Sequence, residues 1–286
     1  MAVAAPPRSV RPPARPRRRL RKRTRVLAGL LAVALVAAGA VATLAWFRHS
    51  GPVVASCRVA SASPGSELGL DQAANATTIA AVAAREGLPD HAVTVALAAA
   101  LQESRLHNLN YGDRDSLGLF QQRPSQGWGT PAQLMTPSYA AAAFYEQLTR
   151  VPGWDQMAVT DAAQRVQRSG APTAYANWEG EARTIAIAVT GEQPGGLACR
   201  FATPKHAPLP PDYMSALTRE SGVTTLAAPL AKARGWGIAA WLVGHAQQYG
   251  ITSVTFDGQR WTPASGKWRS YGTPDAHVRA EQRNTT

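Results

Sequence analysis

The residue best suited to chemistry in this 286-residue chain is a glutamate at the end of an apolar helix. Residues 92–101 contain Thr94 as their only polar side chain, so the predicted helix is buried on nearly all sides. Glu103 follows close to the helix C-terminus, where the macrodipole disfavours negative charge. A carboxyl group kept protonated there can act as a general acid. The plain alternative is a solvated glutamate at a helix end.

Two further motifs follow Glu103-Ser104 along the chain, SLGLFQQ at 116–122 and Ala-Tyr at 174–175. Glu-Ser, Gly-Leu-Phe-Gln and Ala-Tyr in this order resemble the soluble lytic transglycosylase and goose-type lysozyme superfamily. The longer string YGDRDSLGLFQQRPSQGWGTPAQL, with VPGWDQM and AYANWE, is similar to a lysozyme-like subgroup of actinobacterial envelope proteins. The resemblance covers residues 72–192.

The resemblance implies a role for each matching position. Glu103 would protonate the glycosidic oxygen and then serve as the base, and the hydroxyl of Tyr175 would orient it. The sugar cleft would be bordered by a set of small and polar residues, Ser104, Ser116, Gly118 and Gln121, where glycine lets the backbone approach the substrate. The third motif departs from the family pattern, because Ala176 stands where an asparagine usually follows the tyrosine.

A second carboxylate would decide the product. Most glycosidases use two carboxylates, whereas transglycosylases of this superfamily use one, because the substrate's N-acetyl group and 6-hydroxyl complete the reaction as a 1,6-anhydro sugar. Asp113 and Asp115 lie ten and twelve residues after Glu103. Either is a candidate to position water, and a turn or a pairing with Arg114 is the alternative. The sequence leaves lytic transglycosylase and lysozyme both open.

Three tryptophans are candidates to stack on sugar rings. Trp128, Trp154 and Trp178 fall within the segment that carries the resemblance. Tryptophan is more often part of a core with one wet edge. Trp128 is the strongest candidate for substrate binding because the flanking Gly127 and Gly129 expose it.

The elements that must position these residues are mainly helical. The sequence predicts helices over 71–86, 90–106, 138–148, 161–168 and 179–189. Between 108 and 129 the pattern changes to Gly, Asp, Asn and Ser, which predicts loops and a small β-hairpin. The expected fold is a lysozyme-like α+β domain over 71–200, mainly α, which follows one transmembrane helix.

A smaller unit is predicted after a Pro-rich linker at 201–212. Residues 213–286 predict a small α/β module, with a helix over 236–249 and a hairpin that turns at Asp257-Gly258. Its sequence is similar to an envelope domain distantly related to zinc peptidases. Asp275 and His277 match the last ligand segment there, but the earlier ligands are missing, so no metal site is predicted.

The N-terminal region predicts a membrane anchor. Residues 1–25 carry ten Lys and Arg and no acid, and residues 26–47 are 22 positions without a charge. That length suits a transmembrane helix better than the shorter apolar core of a cleaved signal peptide. The basic flank places the N-terminus in the cytoplasm and the catalytic part outside, beyond a stalk at 48–70. The excess of positive charge lies mainly in this tail, so the globular part has no strongly basic surface, which argues against nucleic-acid binding as the main activity.

Cys57 and Cys199 bracket the segment that carries the motifs. Outside the cytoplasm two cysteines can form a disulfide, and two unrelated thiols are the alternative.

The leading hypothesis is a membrane-anchored enzyme that cleaves peptidoglycan glycan strands with Glu103 as acid and base, with peptidoglycan and the membrane as partners. No cofactor is expected. The alternative is a non-catalytic wall-binding or scaffold protein that retains the fold, and cell-envelope proteins are possible partners. A transport accessory has little support, because no Cys/His/Met cluster is present.

Overall fold

The structure is a computed structural model that describes residues 36–41, 43, 54–60, 67–171, 173–202 and 211–283. Residues 53–286 form one compact unit, in which helices dominate and two small antiparallel sheets complete the fold. The predicted basic tail at 1–25 lies outside the described residues, as do positions 203–210 of the predicted linker.

Six α-helices lie in the part of the unit that carries the three motifs. Their bounds are Leu70–Arg85 (α1), Asp90–Ser104 (α2), Pro131–Leu134 (α3), Pro137–Thr149 (α4), Val159–Gln167 (α5) and Glu179–Thr190 (α6). Single-turn 3-10 helices lie at Pro124–Gln126, Trp154–Gln156 and Ala174–Trp178. The five helices predicted in this region are present, and each differs from its predicted bounds by two residues at most.

Helix α2 lies at the centre of the unit. Residues 92–101 are all buried, and α2 contacts α5, α6 and the Ala174–Trp178 turn. Alanine at five of these ten positions lets neighbouring helices approach closely. The last turn of α2, which carries Glu103, is therefore held by packing along the whole helix.

The first sheet ties the two ends of the helical part together. Its strands are Ser56–Val59 (β1), Glu67–Leu68 (β2) and Leu197–Arg200 (β3), in the order β2-β1-β3. Cys57 lies directly opposite Cys199 in the β1–β3 ladder, and the two form a disulfide. The predicted disulfide is confirmed, and β1 and β2 belong to the segment predicted as a stalk.

The second sheet follows two more helices. The elements are Tyr213–Ser221 (α7), Lys232–Gly244 (α8), Ile251–Phe256 (β4), Gln259–Thr262 (β5), Lys267–Ser270 (β6) and Arg279–Gln282 (β7), with strand order β6-β5-β4-β7. The predicted hairpin turn is present, and Asp257 and Gly258 both have positive φ, as a type I′ turn requires. The helix predicted over 236–249 begins and ends earlier.

A buried polar cluster joins α7 and α8 to α1. The Glu220 carboxylate accepts hydrogen bonds from the Thr78 hydroxyl and the Trp241 indole N–H, each at 2.8 Å. The His245 ring stacks on Trp241 with centroids 4.1 Å apart, and its Nε2 lies 3.3 Å from the Thr78 hydroxyl. All four side chains are buried. Paired in this way, the carboxylate avoids the cost of an isolated buried charge.

The predicted fold class needs correction at its transmembrane helix. In the part of the chain that the structure describes, none of the helices combines the length and hydropathy needed to cross a bilayer. Positions 36–41 and 43 of the predicted segment are helical. Positions 26–35, 42 and 44–47 of the predicted segment lie outside the described residues.

The predicted hairpin between 108 and 129 is also corrected. The described residues there form two isolated bridges, Leu109 with Gly118 and Leu117 with Gln122, rather than a pair of strands. Positive φ angles at Arg114, Gly118 and Gln121 interrupt extended backbone. Side-chain hydrogen bonds replace a regular ladder in this loop.

Candidate active site

The structure brings Glu103 and Tyr175 together. The Tyr175 hydroxyl donates a 2.7 Å hydrogen bond to Glu103 Oε1, from a turn that packs on α2. Tyr175 is buried, whereas Glu103 is half-buried at the end of its helix. Burial raises the pKa of Tyr175 well above its usual range, and the hydrogen bond to Glu103 and its charge act in the same direction. The phenol therefore stays protonated and acts as a fixed donor to one carboxyl oxygen.

The backbone that follows Glu103 is held in a rare conformation. Arg105 and Leu106 have φ angles of 56° and 63°, in the left-handed region that L residues seldom adopt. The Asn75 side-chain amide donates to the Leu106 carbonyl at 2.7 Å, and Gln72 donates to the Arg105 carbonyl at 2.7 Å. Two amides from α1 thus fix the end of α2, which turns the chain sharply after the glutamate. Strain held by surrounding contacts is typical of functional sites.

Ser104 connects this helix end to the loop of the second motif. Its hydroxyl lies 2.7 Å from the Leu119 carbonyl and 3.0 Å from the Ala100 carbonyl, and the side chain is buried. The Gln167 amide of α5 donates to the Phe120 carbonyl at 2.8 Å. The Gly-Leu-Phe-Gln loop is therefore attached to both helices that border it.

Gly118 occupies a position that only glycine fits. Its φ is +78°, and an added Cβ would lie 2.4 Å from the Leu134 carbonyl oxygen. Its N–H donates to the Leu109 carbonyl at 2.7 Å. Asn108 donates to the Met135 carbonyl at 2.8 Å, on the same side of the loop. Close backbone packing explains this glycine without reference to a substrate.

Gln121 stabilises the same loop through side-chain hydrogen bonds to its backbone. Its side-chain amide donates to the Tyr111 and Gly118 carbonyls, each at 3.3 Å. An added Cβ at Gly112 would lie 1.9 Å from the Gln121 amide oxygen, so glycine leaves room for this side chain. Ser116 is buried beneath the loop.

The two aspartates differ sharply in their surroundings. Both Asp115 oxygens are engaged: Arg123 Nε donates at 2.7 Å, the Ser125 N–H at 2.7 Å and the Ser125 hydroxyl at 3.0 Å. Arg123 first, and then Ser125, lower the pKa of Asp115 well below its usual range. The Asp113 side chain is 93% exposed, with Arg114 4.0 Å away. Asp115 is thus an ionised anchor of the loop, while Asp113 faces water.

The three tryptophans have different surroundings. One face of Trp178 is covered by the Arg105 guanidinium, 3.8 Å from the ring centroid, and its N–H donates to Gln102. Trp154 stacks against His91. Trp128 lines a cleft of about 670 Å³, and its carbonyl accepts a hydrogen bond from Tyr139. Trp128 is therefore the best placed of the three to meet a ligand.

Sequence reasoning missed the residues that hold the site in place, above all Asn75, Gln72 and Gln167. The signal that could have revealed Asn75 is its polar amide among the apolar residues of α1, where an unpaired amide would be costly. Within the described ranges, no group of three or more His, Cys, Asp or Glu side chains is arranged to hold a metal ion.

Comparison with known proteins gives one family match. A family described as "VldE, C-terminal domain" matches residues 155–280, less than half of the chain. The matched range runs from the turn before α5 to β7, so it contains Tyr175 but not Glu103 or Gly118. No curated protein matches the chain.

Proposed function

We propose that this protein is a lytic transglycosylase that cleaves peptidoglycan glycan strands with Glu103 as its acid and base. The observation that carries the proposal is the 2.7 Å hydrogen bond from the buried Tyr175 hydroxyl to Glu103, at the end of a buried helix. The motif resemblance assigns these two residues to those roles, and the contact between them supports the assignment. The substrate bond joins N-acetylmuramic acid to N-acetylglucosamine.

The proposed reaction uses the two oxygens of Glu103 differently. Tyr175 occupies Oε1, which leaves Oε2 to carry the proton toward the glycosidic oxygen. As that bond breaks, the substrate's own acetamido group stabilises the positive charge at C1. Glu103 then accepts the proton of the 6-hydroxyl as this oxygen attacks C1, and a 1,6-anhydro sugar forms. The carboxyl group regains its proton, and no water is consumed.

The surroundings of the aspartates favour this route over hydrolysis. A lysozyme needs a second carboxylate that holds a water or attacks the sugar. Asp115 is fully occupied by Arg123 and Ser125. Asp113 is exposed, and the Arg114 side chain 4.0 Å away is exposed as well. Neither has the fixed, available geometry that a general base requires.

The site of action is proposed to lie outside the cytoplasm, where peptidoglycan is found. The Cys57–Cys199 disulfide supports this placement, because such bonds persist in oxidising compartments. Other proteins of the cell envelope are possible partners there.

The test is digestion of purified peptidoglycan by the full chain, with products identified by mass spectrometry. We expect 1,6-anhydro products from the native protein and from Glu179→Gln, a control at an exposed glutamate. Glu103→Gln should lose them, and Tyr175→Phe should form them about 10- to 100-fold more slowly, the equivalent of one hydrogen bond to a charged group.

Two other outcomes would overturn the proposal. Reducing-end products that disappear in both Glu103→Gln and Asp113→Asn would identify a lysozyme. Binding to peptidoglycan without any products would favour the non-catalytic wall-binding alternative.

A further inference from the structure

The cleft that Trp128 lines includes neither Glu103 nor Tyr175 in its lining. It has a volume of about 670 Å³ and opens between the loop at 126–128, α4 and α5. Two aromatic side chains, Trp128 and Tyr139, line one side. The lining also contains four charged residues, namely Glu146, Arg150, Arg165 and Arg168.

The charge of this cleft is strongly one-sided. Arg150 pairs with Glu146 one helical turn away, which neutralises both. Arg165 and Arg168 are exposed and form no ion pair with any side chain in the described ranges. Two guanidinium groups therefore face the cleft without a protein anion, and the fork of each suits a carboxylate.

The cleft is connected to the catalytic pair through the end of α5. Arg168 ends α5 with a left-handed φ of 51°, and the Gln164 amide holds the next carbonyl, that of Ser169, at 2.8 Å. Helix α5 also contacts the turn Ala174–Trp178, which carries Tyr175. The cleft and the turn that carries Tyr175 therefore share helix α5.

The chemistry of this cleft points to a ligand with both an apolar or ring surface and carboxylate groups. Glycan strands of N-acetylated sugars carry no charge once the lactyl group is joined to a peptide. The carboxylates of peptidoglycan lie on its stem peptides. We propose that this cleft binds the stem peptide of the strand to be cut, with Arg165 and Arg168 pairing with its carboxylates. The proposal rests on the proposed function for the identity of the polymer.

The first test measures binding without catalysis. An N-acetylated stem tetrapeptide with free carboxylates is titrated into the full chain by calorimetry, beside the same peptide with its carboxylates amidated. We expect Arg165→Gln and Arg168→Gln each to weaken binding of the charged peptide about fivefold, the equivalent of one partly exposed ion pair. Arg269→Gln on β6 removes an exposed arginine outside the cleft and should leave the affinity unchanged. A double variant combines Arg165→Gln with Arg168→Gln. The affinity of the native protein for the amidated peptide should be as low as the affinity of this double variant for the charged peptide.

The proposal would be overturned if the native protein bound the charged and amidated peptides with equal affinity. It would also be overturned if Arg269→Gln weakened binding of the charged peptide as much as the cleft variants do. Thermal unfolding of each variant shows that it is folded. We expect unchanged midpoints, because neither cleft arginine contributes a salt bridge to the described fold.

The second test separates this proposal from the proposed function. Glycan strands with and without stem peptides are digested, and the double arginine variant should raise KM for the peptide-bearing strands alone. Arginine-dependent peptide binding with no cleavage by the native protein would support the cleft and refute the enzyme. Cleavage that is equally efficient on peptide-free strands, with no peptide binding, would refute the cleft and leave the enzyme.

Discussion

Of the two side-chain hydrogen bonds that hold the conformation after Glu103, the one from Asn75 is buried, and Asn75→Ala tests it. Asn75 and Leu106 are 8% and 0% exposed, and the Asn75 amide donates to the Leu106 carbonyl at 2.7 Å. Without the amide, this carbonyl is left buried and unpaired, which costs about 1–3 kcal/mol. Alanine is the better helix former by about 0.7 kcal/mol, which offsets part of the loss. We expect the free energy of unfolding to fall by about 1–2 kcal/mol.

The isosteric Asn75→Asp variant makes the test sharper. Aspartate keeps the shape of the side chain but presents an oxygen to the carbonyl, so at neutral pH it should destabilise the protein more than alanine does. The difference should narrow in acid, where the protonated carboxyl can donate. Urea unfolding at neutral and acidic pH measures both effects. Asn110→Asp, at an exposed asparagine, is the matched control and should change stability by less than about 0.5 kcal/mol.

An Asn75→Asp variant as stable as the native protein would refute the reasoning. It would mean that the Leu106 carbonyl finds another donor and that the left-handed turn is held by other contacts. If the reasoning is correct, both Asn75 variants should also slow glycan cleavage, because the turn sets the position of Glu103.

Three further perturbations test other parts of the structure. Replacing Cys57 and Cys199 together by serine should lower the free energy of unfolding by about 5 kcal/mol in the chain-entropy model, since the bond closes a loop of 142 residues, and urea unfolding measures this loss. Gly118→Ala should cost about 2 kcal/mol or more, because both its φ of +78° and the nearby carbonyl exclude a Cβ, and a lowered thermal midpoint would show it. Burial lowers the pKa of His245 below its ordinary 6.5, although the Glu220 charge opposes the shift. The stability it contributes is therefore full above about pH 6.5 and is lost as the pH falls, so His245→Gln should flatten the stability profile between about pH 7 and pH 5.

Six of the helices and their order could be predicted from the sequence, whereas α3 and α7 were missed. The run of apolar residues over 92–101 predicts a helix that is buried on all sides. Gly87 and Gly191 mark the ends of α1 and α6, because glycine adopts the positive φ that a helix C-terminus often needs. The strand Ile251–Phe256 and its Asp-Gly turn were predicted for the same reason. These features depend on neighbours along the chain, which the sequence displays directly.

The transmembrane helix and the hairpin were predicted from composition, and there local pattern was an insufficient guide. Alternating Gly, Asp and Ser residues between 108 and 129 are compatible with either a hairpin or an irregular loop. The loop forms because Ser104, Gln121 and Asp115 satisfy its backbone with side-chain bonds. Those donors and acceptors lie 10 to 15 positions apart in sequence, and their pairing follows no helix or strand period.

The sequence by itself determined which groups are present: a glutamate at the end of a buried helix, two motifs that follow it along the chain, two cysteines and the helical periodicity. Only the tertiary structure decided which of these groups meet. Tyr175 lies 72 positions after Glu103, yet its hydroxyl reaches the carboxyl because the turn that carries it packs on α2. The same packing pairs Asp115 with Arg123 and places two arginines in a cleft, where they form no ion pair with any described side chain. Such contacts act through space over a few ångströms, and chain order does not encode them.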